Sequence, residues 1–545
     1  MLGHLAMQIY FLSISVIFWF VNLFKRQVSV PPPTDPLLLL SATAAVEKIV
    51  QRELTSSQLI EAYIGRIKQV NHLINAIVVD NFVAARRDAG EVDRMVMGKD
   101  EQELDELIRS KPLLGIPFTV KDAIEVEGMV ITCGIFSQRH NVASRTAEAV
   151  TRLRQAGGIL LAVTNVSEAC LWTETSNGIY GRTNNPYDVR RSAGGSSGGE
   201  GALIGAAAGL IGVGCDVGGS IRIPAFMNGI FGMLTTPGVI SIDGCIPPPK
   251  GYQRQMQRVG PMCRYAEDVP LLVKVMAGDE IHRLNLGSSV DHDNIRIFYM
   301  EGFCDMLVLP ELNNDMKSAL KRAVSHLEKK YDVDAVRIDL PLFSHAIDII
   351  ASCFSGHGRP SELMLSIHRD KGPVDWRSEL PKLLMGRSVH SPGGVFTAMF
   401  EKKSSAVENE ASPVSNDFKQ RVFFYSTQLR DRLIRQLSDL LGDSGVLLFP
   451  SWPTTAPYHH QHLFTPYNSL HTGILSTLAF PVVQCPTGLS TSGLPTGVQI
   501  LLFSSEHCFH VVAAPFSDRL LIAVAKELSE AFSGWVSLGC PPQTQ

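Results

Sequence analysis

Three short stretches hold residues whose types and order could cleave an acyl bond. They are Gly194-Gly195-Ser196-Ser197-Gly198-Gly199-Glu200-Gly201, then Cys215-Asp216-Val217-Gly218-Gly219-Ser220-Ile221-Arg222, and, well upstream, Gly115-Ile116-Pro117-Phe118-Thr119-Val120-Lys121-Asp122. A serine hydroxyl attacks a carbonyl only when a base removes its proton. The chain shows no obvious Ser-His-Asp order, but a lysine kept neutral by burial or by a nearby cation can serve as the base. Lys121 closes an apolar run, which predicts a half-desolvated, rigidly held amine with a depressed pKa. Gly218-Gly219 lets the backbone approach a ligand closely, so successive N–H groups could converge on the oxygen that turns negative in a tetrahedral intermediate. Taken alone, Lys121 reads more readily as an exposed lysine after a strand, and Gly-Gly-Ser as a tight turn without chemistry.

These residues need elements to place them. Ile116 to Val120 reads as a buried strand. The apolar Ile211-Gly212-Val213-Gly214 leads into the Gly-Gly-Ser, and Ile221 to Asn228 reads as a helix that puts Ser220 near its N-terminus, where partial positive charge gathers. A G-x-S-x-G elbow centred on Ser196 or Ser197 would require a hydrophobic strand just before it. The residues there, Asn184 to Ser192, are polar turn chemistry, so the glycine–serine loop reads as scaffold and proton relay. A helix over 146–156 between strands at 116–120 and 159–163 alternates in βαβ fashion. The small residues Gly201 to Leu210 suit a helix packed tightly on a sheet, and strands return at 445–450 and 482–486. Helices are predicted over 41–52 and 56–71, the second with a Thr55/Gln58 capping box. Residues 98–110 read as an acidic surface excursion, 240–260 as irregular, and 285–435 as a variable lid or substrate-channel insertion.

With all three stretches at these spacings, the chain resembles the amidase signature family. Tyr180-Gly181-Arg182-Thr183-Asn184-Asn185-Pro186-Tyr187-Asp188, Pro224 to Gly232 and Gly260 to Asp268 place the resemblance with its membrane-anchored members that act on lipid amides. It runs from about Pro36 to about Gly539, dense at 111–232 and 442–500. The resemblance implies that Ser220 is the nucleophile and Lys121 the base. It implies that Ser196, preceded by a cis peptide bond, shuttles a proton between them, and that the amides of Val217, Gly218, Gly219 and Ser220 form the oxyanion hole. It also implies long-chain primary amides and N-acylethanolamines as substrates, with no cofactor and no metal. Three departures stand out. Position 215 is Cys where the resemblance leads one to expect Ser or Thr; 233–236 read Met-Leu-Thr-Thr in place of a Lys-Pro pair; and extra residues lie near Leu501 to His510.

The chain has 545 residues, 45% hydrophobic and 19% charged, with a formal net charge of −4. That length and composition suit a large core, and the near-neutral balance argues against a nucleic-acid partner. Ten cysteines without CxxC pairs read as reduced thiols. Leu5 to Phe24 is apolar and long enough to span a bilayer, and Lys25-Arg26 and Pro31-Pro32-Pro33 follow it. His459-His460-Gln461-His462 lacks the further ligands a metal site needs. Asn165-Val166-Ser167 is a sequon placed after a core strand, where glycosylation is not expected. The expected architecture is a single α/β/α domain around a large twisted mixed β-sheet at 36–540. It follows an N-terminal membrane anchor and linker at 1–35, with an endomembrane or lipid-droplet surface as its place and a homodimer permitted. Two rivals remain: an amidase of another substrate class, such as one acting on charged tRNA, and a catalytically impaired, membrane-anchored lipid-binding relative.

Overall fold

The computed structural model describes residues 2–290, 294–303, 306–354, 374–399, 413–502 and 518–540. Its strands, in chain order, are β1 (Ile77–Asp80), β2 (Pro117–Lys121), β3 (Ile159–Thr164), β4 (Ser176–Asn177), β5 (Gly181–Arg182), β6 (Ile211–Asp216), β7 (Phe231–Leu234), β8 (Arg258–Cys263), β9 (Arg296–Tyr299), β10 (Val336–Arg337), β11 (Gly445–Pro450), β12 (Val482–Leu489) and β13 (Pro495–Leu501). All but β4 and β5 join one 11-stranded sheet in the order β1-β3-β2-β6-β8-β7-β12-β13-β11-β9-β10. β2 lies parallel to both β3 and β6, β9 parallel to both β11 and β10, and the remaining pairs are antiparallel. β2, β3, β6, β8, β11, β12 and β13 are buried along their whole length. They therefore read as near-continuous apolar runs rather than alternating ones.

Local signals place several helices well. Ser56–Ile74 starts on the capping box, with the Thr55 hydroxyl accepting from the Gln58 N–H and the Gln58 side chain accepting from the Thr55 N–H. Its buried face is Leu59, Ile60, Tyr63, Ile64, Ile67 and Val70, the stripe expected from the spacing. The predicted βαβ unit is present as β2, the helix Glu148–Gln155 and β3. The acidic stretch 98–110 differs from expectation. It forms the helix Glu101–Ser110 behind a second capping box, Asp100 with Glu103, and buries Leu104 and Leu107. Two leucines at helical spacing were enough to dock an otherwise polar helix.

The stretch 285–435 also contributes to the sheet. It supplies β9, β10 and the helix Asn314–Tyr331, whose Met316, Ala319, Leu320, Ala323, Val324 and Leu327 are buried. At 233–236, β7 is completed without a Lys-Pro pair: Thr236 N–H donates to Asp518 Oδ1 at 3.0 Å and its hydroxyl to Oδ2 at 2.6 Å. The extra residues near Leu501 to His510 lie, from 503 onward, outside the described residues.

The N-terminal helix Leu2–Leu23 is long and apolar enough to cross a membrane, with most of its surface exposed. One edge touches the body. The Tyr10 hydroxyl donates 2.9 Å to the Phe464 carbonyl, and Phe18 meets the Phe464 ring edge-on. The proline run that follows is tied down too, with Val30 N–H on Pro186 O at 2.9 Å and Arg66 Nη2 on Pro31 O at 2.6 Å.

Candidate active site

The chain leaves β2 toward β3 on one side and returns to its other side at β6. A crevice at the carboxyl ends of parallel strands is the expected consequence. Those ends carry Lys121 on β2 and Cys215-Asp216 on β6. The glycine–serine loop crosses beneath them before the helix Gly198–Gly205. Glycine is required at 195 and 199 because a Cβ there would fall 2.5 Å from Trp172 O and 2.4 Å from Asn165 N.

The loop brings Ser196 to the lysine. Lys121 Nζ donates to Ser196 Oγ at 2.7 Å and to the Cys215 carbonyl at 2.9 Å, with lysine and serine both fully buried. The peptide bond Gly195–Ser196 is cis. Lys121, Ser196, Val217 and Ser220 line one cavity, walled by apolar residues including Leu171, Ile246 and Phe354. Among the described residues Ser220 Oγ forms no hydrogen bond. The Ser196–Ser220 leg is thus a juxtaposition across the cavity, of the kind that tightens when substrate binds. Ser197 points elsewhere: its N–H donates to the Ser220 carbonyl at 3.1 Å, and its hydroxyl is buried without a partner among the described residues.

The turn carrying Ser220 is held by a charge pair that the sequence reading quoted without a role. Asp216 accepts from Gly219 N–H at 2.7 Å and Ile221 N–H at 2.9 Å, and it pairs with Arg222 at 3.2 Å, both side chains being fully buried. Arg222 goes on to Gln499 Oε1 at 3.2 Å and Ser476 Oγ at 2.6 Å. Burial pushes the Asp216 carboxyl up, but Arg222 and the turn amides outweigh it and hold it below the usual carboxylate value. The Gly219 N–H is therefore engaged by Asp216. The N–H groups of Val217, Gly218 and Ser220 have no partner among the described residues. Thr472 Oγ1 donates to Gly218 O at 2.9 Å and sets that peptide's orientation. An acid and a base bracketing Gly-Gly-Ser was the local signal for the first device; nothing local pointed to Thr472.

The lysine's electrostatics differ from expectation. Burial does push Lys121 down, but Cys215 and then Cys170 push it back by more, and the net direction is above the ordinary lysine value. The sequence reading weighed burial and a nearby cation, and the cavity-lining Cys215 and Cys170 were not visible to it. Below the lysine, Glu200 accepts from Thr119 at 2.5 Å and Thr164 at 2.9 Å, and burial lifts its carboxyl to about 8.

The histidine cluster is structural among the described residues. His459 Nδ1 meets Glu174 Oε1 at 2.7 Å, His460 N–H donates to Glu174 Oε2 at 3.0 Å, and His462 Nδ1 meets Thr173 Oγ1 at 2.9 Å. Asn165 of the sequon is fully buried and donates to Thr183 Oγ1 at 3.0 Å.

Comparison with known proteins decides the family. The Amidase family profile matches residues 58–501. This chain belongs to the amidase signature family. The amidase is 40% identical over 514 residues to human fatty-acid amide hydrolase 2, covering 94% of this chain and 92% of that protein. It is 39% identical over 519 residues to Danio rerio fatty-acid amide hydrolase 2-B, covering 94% of each. Its fold is also that of a solved fatty acid amide hydrolase, with a TM-score of 0.70 at 20% identity over 95% of this chain and 88% of that one. 6-Aminohexanoate cyclic dimer hydrolase shares it as well, with a TM-score of 0.68 at 22% identity over 93% and 99%. The amidase is thus an amide-hydrolysing enzyme.

Proposed function

We propose that this amidase hydrolyses fatty-acid amides, primary amides and N-acylethanolamines among them, through an acyl-enzyme on Ser220. The observation that carries the reading is the 2.7 Å contact from Lys121 Nζ to Ser196 Oγ in the cavity that Ser220 lines. Neutral Lys121 takes the Ser196 proton as Ser196 takes that of Ser220. Ser220 Oγ then bonds to the carbonyl carbon, and amides of the 217–220 turn stabilise the oxyanion. The relay runs backward to protonate the leaving nitrogen as the C–N bond breaks. Water, deprotonated along the same path, releases the fatty acid. Three side chains and water balance every proton, so no cofactor enters the steps.

The names of the two curated relatives and the apolar walls of the cavity support a lipid amide as substrate. The helix Leu2–Leu23 supports a single-pass anchor at an endomembrane or lipid-droplet surface, with 36–540 as the amidase domain and part of 285–435 as lid or channel. The test is a fluorophosphonate probe beside an assay of acyl amides of graded chain length. The reading expects labelling at Ser220 and release of long-chain fatty acid. Labelling with turnover of short or charged amides only would replace the substrate class, and neither labelling nor turnover would favour a lipid-binding relative.

A further inference from the structure

One wall of the catalytic cavity has a backbone conformation that needs support. Ala169, Cys170 and Leu171 line that cavity with Lys121, Ser196 and Ser220. Ala169 and Cys170 both have a φ of 58°, so two consecutive residues with a Cβ lie in the left-handed region that favours glycine. Such a conformation persists only where the surroundings over-determine it. Part of the support is backbone. Cys170 N–H donates to Ser167 O at 2.9 Å, Leu171 N–H to Glu168 O at 3.2 Å and Ala169 N–H to Cys133 O at 2.8 Å. The same turn reaches the glycine–serine loop, with Ser167 N–H on Ser196 O at 3.3 Å.

The rest comes from a segment 223 residues further along the chain. Glu168, just before the left-handed pair, is 2% exposed. Its Oε1 meets His390 Nδ1 at 2.6 Å, and its Oε2 accepts from the Ser391 N–H at 2.7 Å and the Ser391 hydroxyl at 2.8 Å. Ser391 Oγ in turn accepts from Gly394 N–H at 3.0 Å, in the helical stretch 392–399. The two segments approach closely. A side chain at Gly394 would collide with the Glu168 carboxylate, and one at Gly393 with the Trp172 ring. Phe396 also meets Trp172 edge-on at 5.3 Å. Ser388 Oγ donates to Glu379 at 2.8 Å, which ties this clasp to the helix Trp376–Leu384.

We propose that Glu168, clasped by Ser391 and His390, is a positioning residue that fixes the Ala169–Leu171 wall and so selects the substrates that fit the cavity. The inference deepens the reading of this cavity as a fatty-acid amide site and rests on it. An ionised carboxylate has acceptor sites for all three contacts at once. With the clasp intact, the wall presents one fixed contour to the substrate. With it broken, the turn relaxes toward an unstrained conformation and that contour is lost. Lys121 and the 217–220 turn keep their own partners, on Ser196 Oγ, on Cys215 O and on Asp216. Binding therefore weakens more than chemistry does, and most for substrates long enough to lie along the wall.

The experiment is steady-state hydrolysis of sixteen-carbon and eight-carbon primary amides by the full chain in detergent. Each variant also receives a melting curve and a measured rate of labelling by a small fluorophosphonate. Glu168→Gln puts a donor in place of one acceptor oxygen. Gly394→Ala wedges the partner segment off the carboxylate. Ser391→Ala removes the hydroxyl donor and leaves the N–H. In the first two, KM for the sixteen-carbon amide should rise about tenfold with kcat within about threefold of wild type. The sixteen-over-eight preference in kcat/KM should fall by about tenfold as well. Ser391→Ala should change both in the same direction by less, and the small probe should label all three close to the wild-type rate. Folded Glu168→Gln and Gly394→Ala with wild-type KM and preference overturn the proposal, even if they melt earlier. An equal loss of kcat on both amides overturns it too. Should Glu168→Gln fail to fold, Gly394→Ala and Ser391→Ala decide by the same ratio. A wild type that turns over neither amide removes the substrate reading and this inference with it. If the wild type prefers the longer amide and the variants keep that preference, only this inference has failed.

Discussion

Ser220 and Ser197 lie in the same knot of backbone, yet only Ser220 lines the cavity with Lys121. Removing one oxygen from each should therefore separate them. Ser220→Ala is expected to lose kcat/KM by at least ~10³-fold and all fluorophosphonate labelling, with its melting temperature kept, whereas Ser197→Ala should lose less than about tenfold. Labelling that survives in Ser220→Ala and vanishes in Ser197→Ala would transfer the nucleophile. For Lys121 the sign follows from the direction of its shift. A base held above the ordinary lysine value is protonated across acid and neutral pH, so activity should climb with pH. Lys121→Ala should lose most of the rate at every pH. Lys121→Glu should keep slight activity with a profile displaced toward acid, because a carboxylate is deprotonated at lower pH. Steady-state rates across pH check both.

At the scale of elements, two buried carboxylates hold the site in opposite ionisation states. Asp216 is charged and paired, and ties the end of β6 to the turn before the helix Arg222–Met227. Asp216→Ala would leave Arg222 buried and uncompensated, at a cost of about 3–5 kcal/mol in unfolding free energy, measurable by urea titration. Glu200 has the reverse character. It fastens the helix Gly198–Gly205 to β2 and β3 through Thr119 and Thr164, and burial raises its carboxyl from 4.5 to about 8. A folded-state value above the unfolded one means that its contribution is full below about 4.5 and is lost as pH rises through about 8. Glu200→Gln copies the neutral form. It should fold and should melt with a smaller decline between those two pH values than wild type, and an identical decline would show that Glu200 is not the group responsible.

For the molecule as a whole, the N-terminal helix packs one edge on the body and leaves most of its apolar surface exposed. Its contacts include Tyr10 and Phe18 on Phe464, His4 on Glu311 at 3.6 Å and the buried Phe11 and Ile14, while Arg190 holds the carbonyls of Asn22 and, just beyond the helix, Lys25 at 3.2 Å each. Arg190 also keeps Asp188 at 2.8 Å, so it is not orphaned when the helix goes. Truncation of residues 2–26 retains Val28 and Val30, whose backbones pair with Val189 and Pro186. The truncated chain should shift largely from the membrane to the soluble fraction on flotation, with kcat on a micellar amide within about threefold of the full chain. A folded but inactive truncation would make the helix part of the site.

The sequence by itself determined those features that depend on near neighbours. The apolar run ending at Lys121 foretold a buried strand with an amine at its tip. Thr55 and Gln58 foretold a helix start, and polar residues before Ser196 excluded an elbow. Strand burial, caps and turns are decided within a few residues, so local pattern carries them. The tertiary structure decided the rest, because it arose from sheet crossovers that bring distant segments together. Cys215 shares a cavity with Lys121 only because β6 lies beside β2, and the direction expected for the lysine is reversed there. Thr472 reaches Gly218 from a segment with no motif of its own, and β9 and β10 took places in the sheet from a stretch that looked like an insertion. Desolvation of a side chain can be read from its own strand, whereas the charges that answer it depend on which other strands the fold sets alongside.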